Sequence, residues 1–177
     1  MADDNTDGAN SGAAATTGAA ASDAAQAKPP AVSVTGQYIK DLSFELPGAP
    51  QSLLDLKGQM PPMNLQIAVQ VKPVSETDYD VELKVEARGG DEAKPVFNLE
   101  LVYAGLFKIE NVSTQQLHPF VHIECPRMLF PFARQIIADT VGSAGLPPIM
   151  LQPIDFAGLY RQRMQQMAQQ QQAQANA

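Results

Sequence analysis

The 177-residue sequence has no tryptophan, a single cysteine, and only four tyrosines and seven phenylalanines. With Cys125 alone, no intrachain disulfide can form, which fits a reducing compartment. Basic side chains are also scarce: 12 Lys and Arg stand against 19 Asp and Glu, for a net charge of -7. An acidic surface repels phosphate backbones and anionic lipid, so nucleic acid and the membrane are poor partners. No apolar run approaches the ~20 residues that a membrane-spanning helix needs. The N-terminus offers acidic residues and an Ala/Gly/Thr run where a secretory leader has Lys or Arg and a leucine-rich core, so the expected location is cytoplasmic. Glycine-rich phosphate loops, a serine elbow and a CxxC pair are missing too, so neither an enzyme nor a cofactor is indicated.

What is present begins at about residue 31. Residues 1–30 are mostly Ala, Gly, Ser, Thr, Asp and Asn, too poor in apolar surface to offset their ordering entropy, and read as a disordered acidic tail. Residues 31–167 read as one domain. Val32, Val34, Tyr38, Leu42 and Phe44 suggest a strand with a bulge at Gly36, closed by Pro47-Gly48-Ala49-Pro50. Residues 64–71 and 79–86 alternate apolar and polar side chains cleanly, and 96–109 form a fourth strand with apolar residues on both faces. Four strands in a meander followed by helices predict an α+β fold. On pattern alone, the Val96 and Val102 face suggests a subunit contact.

The helical part follows. A short helix is expected through Leu117, Val121 and Ile123. A main helix then begins near Pro131, with Leu129, Phe132, Ala133, Ile136, Ile137, Thr140 and Val141 as its apolar stripe. Gly142, Gly145 and Pro147-Pro148 stop it. Asp155 is placed to cap a last helix carrying Phe156, Leu159, Tyr160, Met164 and Met167, which decays into a Gln-rich flexible tail over 168–177. The segment 51–63 is unusually apolar for a loop. It reads either as a loop packed on the core or as one wall of an apolar site.

One cluster has chemical potential: His118, His122, Glu124 and Cys125. The histidines have helical ligand spacing, but Pro119 lies between them and no further Cys or His exists to complete a metal site. Ordinary packing roles are favoured for all of them.

Three separated motifs resemble the SecB protein-export chaperone family: Tyr38-Ile39-Lys40-Asp41-Leu42-Ser43-Phe44-Glu45-Leu46-Pro47-Gly48-Ala49-Pro50; Glu100-Leu101-Val102-Tyr103-Ala104-Gly105-Leu106-Phe107-Lys108-Ile109; and Cys125-Pro126 with Leu129-Phe130-Pro131-Phe132-Ala133-Arg134, then Pro153-Ile154-Asp155-Phe156. Their order and spacing hold from about residue 32 to 165. The resemblance implies a four-stranded antiparallel sheet with helices on one face, assembled as a dimer of dimers. It implies an ATP-independent holding chaperone, not an enzyme, that keeps unfolded secretory precursors translocation-competent and delivers them to the SecA motor ATPase. By the same resemblance, Asp41, Glu45 and Glu100 would dock the motor. Leu53, Leu54, Leu56, Met60, Phe156, Leu159 and Tyr160 would line the substrate groove. Phe97, Leu99, Leu101 and Tyr103 would meet another subunit. The chain departs from the family at Asn98, where an apolar residue is usual, and in having no loop tryptophan. A SecB-like chaperone serving a non-export client, such as an antitoxin, is the alternative.

Overall fold

The computed structural model describes residues 29–91 and 93–175. Residues 1–28 of the expected N-terminal tail, and 176–177, lie outside the described residues. Four strands form one antiparallel sheet: β1 (Ala31–Glu45), β2 (Met63–Pro73), β3 (Asp78–Asp91) and β4 (Lys94–Glu110). A short helix, α1 (Gln51–Leu56), separates β1 from β2, and two long helices, α2 (Thr114–Ser143) and α3 (Phe156–Ala175), follow the sheet.

The strand order is β1-β4-β3-β2, which corrects the expected meander. Three strands are hairpin neighbours, while β1 pairs with β4 on the far side, a Greek-key order. The physical consequence falls on the 46–62 connection. It must cross two strands, a span of about 14 Å at ~4.8 Å per strand. Apolar side chains are needed along that path, and Leu46, Leu53, Leu56 and Met60 pack half-buried against the core. Only Leu54 of this group turns out to solvent, at 67% exposure. The apolar loop is therefore mainly a packed crossover.

Alternation puts the sheet's apolar set on one face. Val81, Leu83, Val85 and Ala87 from β3 join Phe97, Leu99, Leu101, Tyr103 and Phe107 from β4, all buried. The helix layer covers them, with α2 lying over β3, β4 and β2. Its buried positions Val121, Cys125, Leu129, Ala133, Ile137 and Val141 recur every four residues. Gly105 permits this approach: a Cβ there would stand 2.8 Å from Leu129 Cδ2. The β3–β4 turn needs Gly90, whose φ of +95° is a left-handed value that side chains resist.

α2 overturns the expected break. Thr114–Ser143 is one helix of 30 residues with Pro119, Pro126 and Pro131 inside it. Each interior proline forfeits a backbone hydrogen bond. Burial of the four-residue stripe along the whole length compensates, because tertiary packing rather than propensity supplies most helix stability. α3 also runs further than expected. Asp155 accepts a hydrogen bond from Gly158 N at 2.9 Å, the predicted N-cap, and the helix continues through Gln169–Gln172 to Ala175. Gln and Ala are good helix formers, and glutamine at the end of a capped helix extends it readily.

Phe97, Leu99, Leu101 and Tyr103 are core residues of the single chain, at 0–8% exposure. In the single chain α2 already covers that part of β4. Apolar surface on this side remains toward β1, where Val34, Ile39 and Leu42 are exposed at 39–48%. Phe132 of α2 is 51% exposed beside them, its ring 6.3 Å from that of Tyr103.

Candidate functional site: a cleft beside the β2 edge and a charged sheet face

β2 ends the sheet on one side, so its outer backbone groups have no strand partner. α3 runs past this edge. Between them lies a cleft of about 360 Å³. Ile67, Ala68, Val69 and Gln70 form the strand wall; Phe156, Leu159, Tyr160, Gln162, Arg163 and Gln166 form the helix wall; His122 of α2 sits between the walls. A second hollow of about 450 Å³ continues along the same edge past Val71, Pro73, Leu117 and Val121, and His122 borders both.

The helix wall is positioned from its base. Phe156 is 1% exposed and meets Phe130 edge-on at 6.0 Å, which anchors the first turn of α3 on α2. One turn on, Tyr160 Oη lies 2.8 Å from His118 Nδ1. The His118 and His122 rings stand 4.4 Å apart, and His122 Nδ1 donates to the His118 carbonyl at 2.9 Å. Burial pushes His122 below its ordinary value, so it is neutral at pH 7. The histidines thus act as spacers between α2 and α3. No group of three or more His, Cys, Asp or Glu is placed to hold a metal among the described residues. Cys125 is fully buried, and burial with the nearby Glu124 pushes its thiol up to about 12, far from a reactive thiolate.

Of the groove residues expected from sequence, Phe156, Leu159 and Tyr160 line the cleft. Leu53, Leu54, Leu56 and Met60 do not border it. The strand wall, His122 and Arg163 were not foreseen. Ile67 and Val69 were legible as strand residues, but being on an edge depends on strand order, which no local pattern carries.

The opposite face of the sheet is charged. Asp41 pairs in register with Val102, Ser43 with Glu100 and Glu45 with Asn98, and directly paired residues share a face. Asp41, Glu45 and Glu100 therefore lie together on the side away from the helices. Glu100 accepts from Lys84 Nζ at 2.6 Å, and Lys84 also reaches Glu86 at 2.9 Å. These two carboxylates hold the Lys84 ammonium above its ordinary range. Asp41 and Glu45 are exposed and have no salt bridge among the described residues. Nearby, Glu82 takes ammonium donors from Lys40 of β1 and Lys72 of β2 on a single oxygen.

A free strand edge facing the apolar first turns of a helix across an open cleft, backed by an acidic sheet face, suits a module that binds extended polypeptide. Comparison with known proteins gives the particular family. A family model described as preprotein translocase subunit SecB matches residues 25–167. The protein-export protein SecB of Afipia carboxidovorans is 52% identical over 152 residues, spanning 86% of this chain and 94% of that protein. Its counterpart in Bradyrhizobium diazoefficiens is 54% identical over 140 residues, 78% of this chain and 86% of the other. The Mycobacterium tuberculosis SecB-like chaperone, solved with a ChAD peptide from the HigA1 antitoxin, shares the fold at a TM-score of 0.53 and 17% identity, covering 70% of this chain and 90% of that one. The chain belongs to the SecB family of protein-export chaperones.

Proposed function

We propose that the chain is a cytoplasmic, ATP-independent holding chaperone that takes extended segments of unfolded secretory precursors into the β2–α3 cleft and passes them to the SecA motor. The observation that carries this is the unpartnered β2 edge opposite Phe156, Leu159 and Tyr160. Backbone groups of an incoming segment can pair with a strand edge whatever their sequence, while the helix wall accepts apolar side chains of varied shape. Met164 and Met167, exposed further along α3, extend this adaptable surface.

The acidic face formed by Asp41, Glu45 and Glu100 is the proposed SecA surface. It is remote from the cleft because the sheet lies between, so client and motor can be held together. The proposed assembly is a homotetramer, a dimer of dimers. Its support is the uncovered apolar strip of Val34, Ile39, Leu42, Met128 and Phe132, each exposed by at least 38% in the single chain. Identity near one half to export proteins favours secretory clients over an antitoxin.

The test is aggregation of an unfolded secretory precursor on dilution from denaturant, with purified protein and no nucleotide. Suppression at a few-fold excess is expected. Unchanged aggregation at large excess would sink the proposal. Native mass, measured on the same sample, should correspond to four chains.

A further inference from the structure

α3 is held to the rest of the chain at its base. Phe156 is buried, whereas every residue from Arg161 to Gln172 is exposed. Among the described residues, two side-chain hydrogen bonds reach across from this helix: Tyr160 Oη with His118 Nδ1 at 2.8 Å, and Arg163 to the Val69 carbonyl. The first belongs to a cluster. The Tyr160 ring lies 5.6 Å from that of His118 and 5.8 Å from that of His122, and the two imidazoles are 4.4 Å apart. These three rings occupy the α2–α3 joint, where the two hollows meet. The cluster offers no anion to a protonated imidazole. His122 Nδ1 is committed to the His118 carbonyl, so an added proton goes to Nε2. The titratable and charged groups around His122 are His118 on its own helix, Tyr160 and Arg163 on α3, and Tyr79 of β3 in the second hollow; β2 contributes Gln70 and apolar side chains. No carboxylate lines either hollow, and Glu124, further along α2, is engaged by Arg127 at 2.8 and 2.9 Å.

We propose that His118, Tyr160 and His122 are positioning residues for the helix wall of the cleft, and that a proton on His122 releases α3 from α2. While α3 is docked, burial holds His122 below its ordinary value of 6.5; the bond to the His118 carbonyl works the other way, and charge on His118 and Arg163 adds to the burial. With α3 lifted, His122 meets water and regains the ordinary value. The lifted form therefore binds the proton better, so docking is favoured above the ordinary value and loses ground as pH falls through it. One proton of this kind shifts the docking equilibrium by at most about tenfold between about pH 7.5 and 5.5. The consequence for clients rests on the β2–α3 cleft being their site.

The experiment uses the full chain and a labelled peptide of alternating leucine and serine, blocked at both ends so that it has no titrating group. Amide protection factors, which are corrected for intrinsic exchange, should fall by up to about tenfold for Leu159 to Arg163 between about pH 7.5 and 5.5, while those of Leu129, Ala133 and Ile137 in α2 hold. Peptide affinity should fall in step, because the helix wall leaves. In His122→Phe, and in His122→Gln should the first variant fold poorly, both falls should vanish. Tyr160→Phe should lower α3 protection at both pH values and keep the pH dependence. A fall that persists in the His122 variants, or flat α3 protection in the unaltered chain, would overturn the proposal. Falling α3 protection with constant peptide affinity would uphold the proton-sensitive joint and place clients outside the cleft, so failure of the premise is told apart from failure of the joint.

Discussion

The two edges of one sheet are finished in different ways. β1 carries register shifts at Val34/Gly36 and Ile39/Asp41, and its helix-side residues Val34, Ile39 and Leu42 are exposed and apolar. β2 is regular along its whole pairing with β3, and its free side is flanked by α3. Bulges twist an edge and spoil it as a template for added strands. The bulged edge is thus suited to burying side chains, and the regular edge to pairing backbone. Under the proposed function, the difference fits assembly through β1 and reversible client binding at β2.

Breaking the β1 side should give the largest effect. Ile39→Glu with Leu42→Glu places two charges on the exposed apolar strip without touching the buried core. The expected native mass falls from four chains to two or one, because an unpaired charge at an interface costs several kcal/mol. Aggregation suppression per chain should fall less than the mass does. A tetramer that survives both substitutions would remove β1 from the assembly.

On the β2 side, Phe156→Ala should be the next largest. This ring is 1% exposed and braces α3 against Phe130, so its truncation should cost about 3–5 kcal/mol in urea unfolding. Client affinity should drop with it, since the helix wall loses its base. Leu159→Ala, at a half-buried lining position, is the milder control and should weaken client binding with little loss of stability. Full client affinity in Leu159→Ala would place the clients outside this cleft.

The edges also differ in what could be read from sequence. The β1 strand, its bulge at Gly36 and the Asp155 cap were visible because each is a local signal of alternation or spacing. Asp41, Glu45 and Glu100 were singled out only by the family resemblance, and their shared face depends on the β1–β4 register. The β2 cleft was only half visible. Phe156, Leu159 and Tyr160 sit on a readable helix face, but the wall opposite is made by strand order, which places β1 between β4 and solvent and leaves β2 outermost. The same order turned the apolar 51–63 segment into a packed crossover. The continuous α2 was hidden by its prolines. Local propensity argues for a break at each, and only burial of the stripe from Val121 to Val141 outweighs it.

Glu100→Lys tests the face shared by both edges. It reverses one charge among Asp41, Glu45 and Glu100 and sets two lysines, 84 and 100, against each other. SecA affinity should fall about tenfold, mostly through slower association, and more steeply at low salt. Client binding should be unchanged, because the cleft lies on the other side of the sheet. Equal motor affinity in the variant would remove Glu100 from the docking surface.

The smallest expected effect comes from the one group that ties the edges together. Glu82 of β3 has a side chain only 7% exposed and is held by Lys40 from β1 and Lys72 from β2. Hydrogen bonds from Lys40, then Lys72, keep its carboxyl below the ordinary value of 4.5. A carboxyl depressed by folding stabilises the native state above its unfolded pKa, and that contribution is lost as pH falls through the lower folded value. Lys40 shows the complementary behaviour. Its bond to Glu82 raises it above 10.5, so its contribution is present below that value and fades as pH climbs through the folded one. The bridge should therefore act across the whole neutral range and weaken only at the extremes. Glu82→Gln should unfold at lower urea than the unaltered chain at neutral pH, and the gap should begin to narrow below about pH 4.5 and close as pH falls through the lower folded value. The difference should be modest, because Lys40 and Lys72 are 41% and 54% exposed and solvent screens both. Parallel stability profiles down to acid would mean that Glu82 contributes packing but no charge pairing, and that the two edges are mechanically independent.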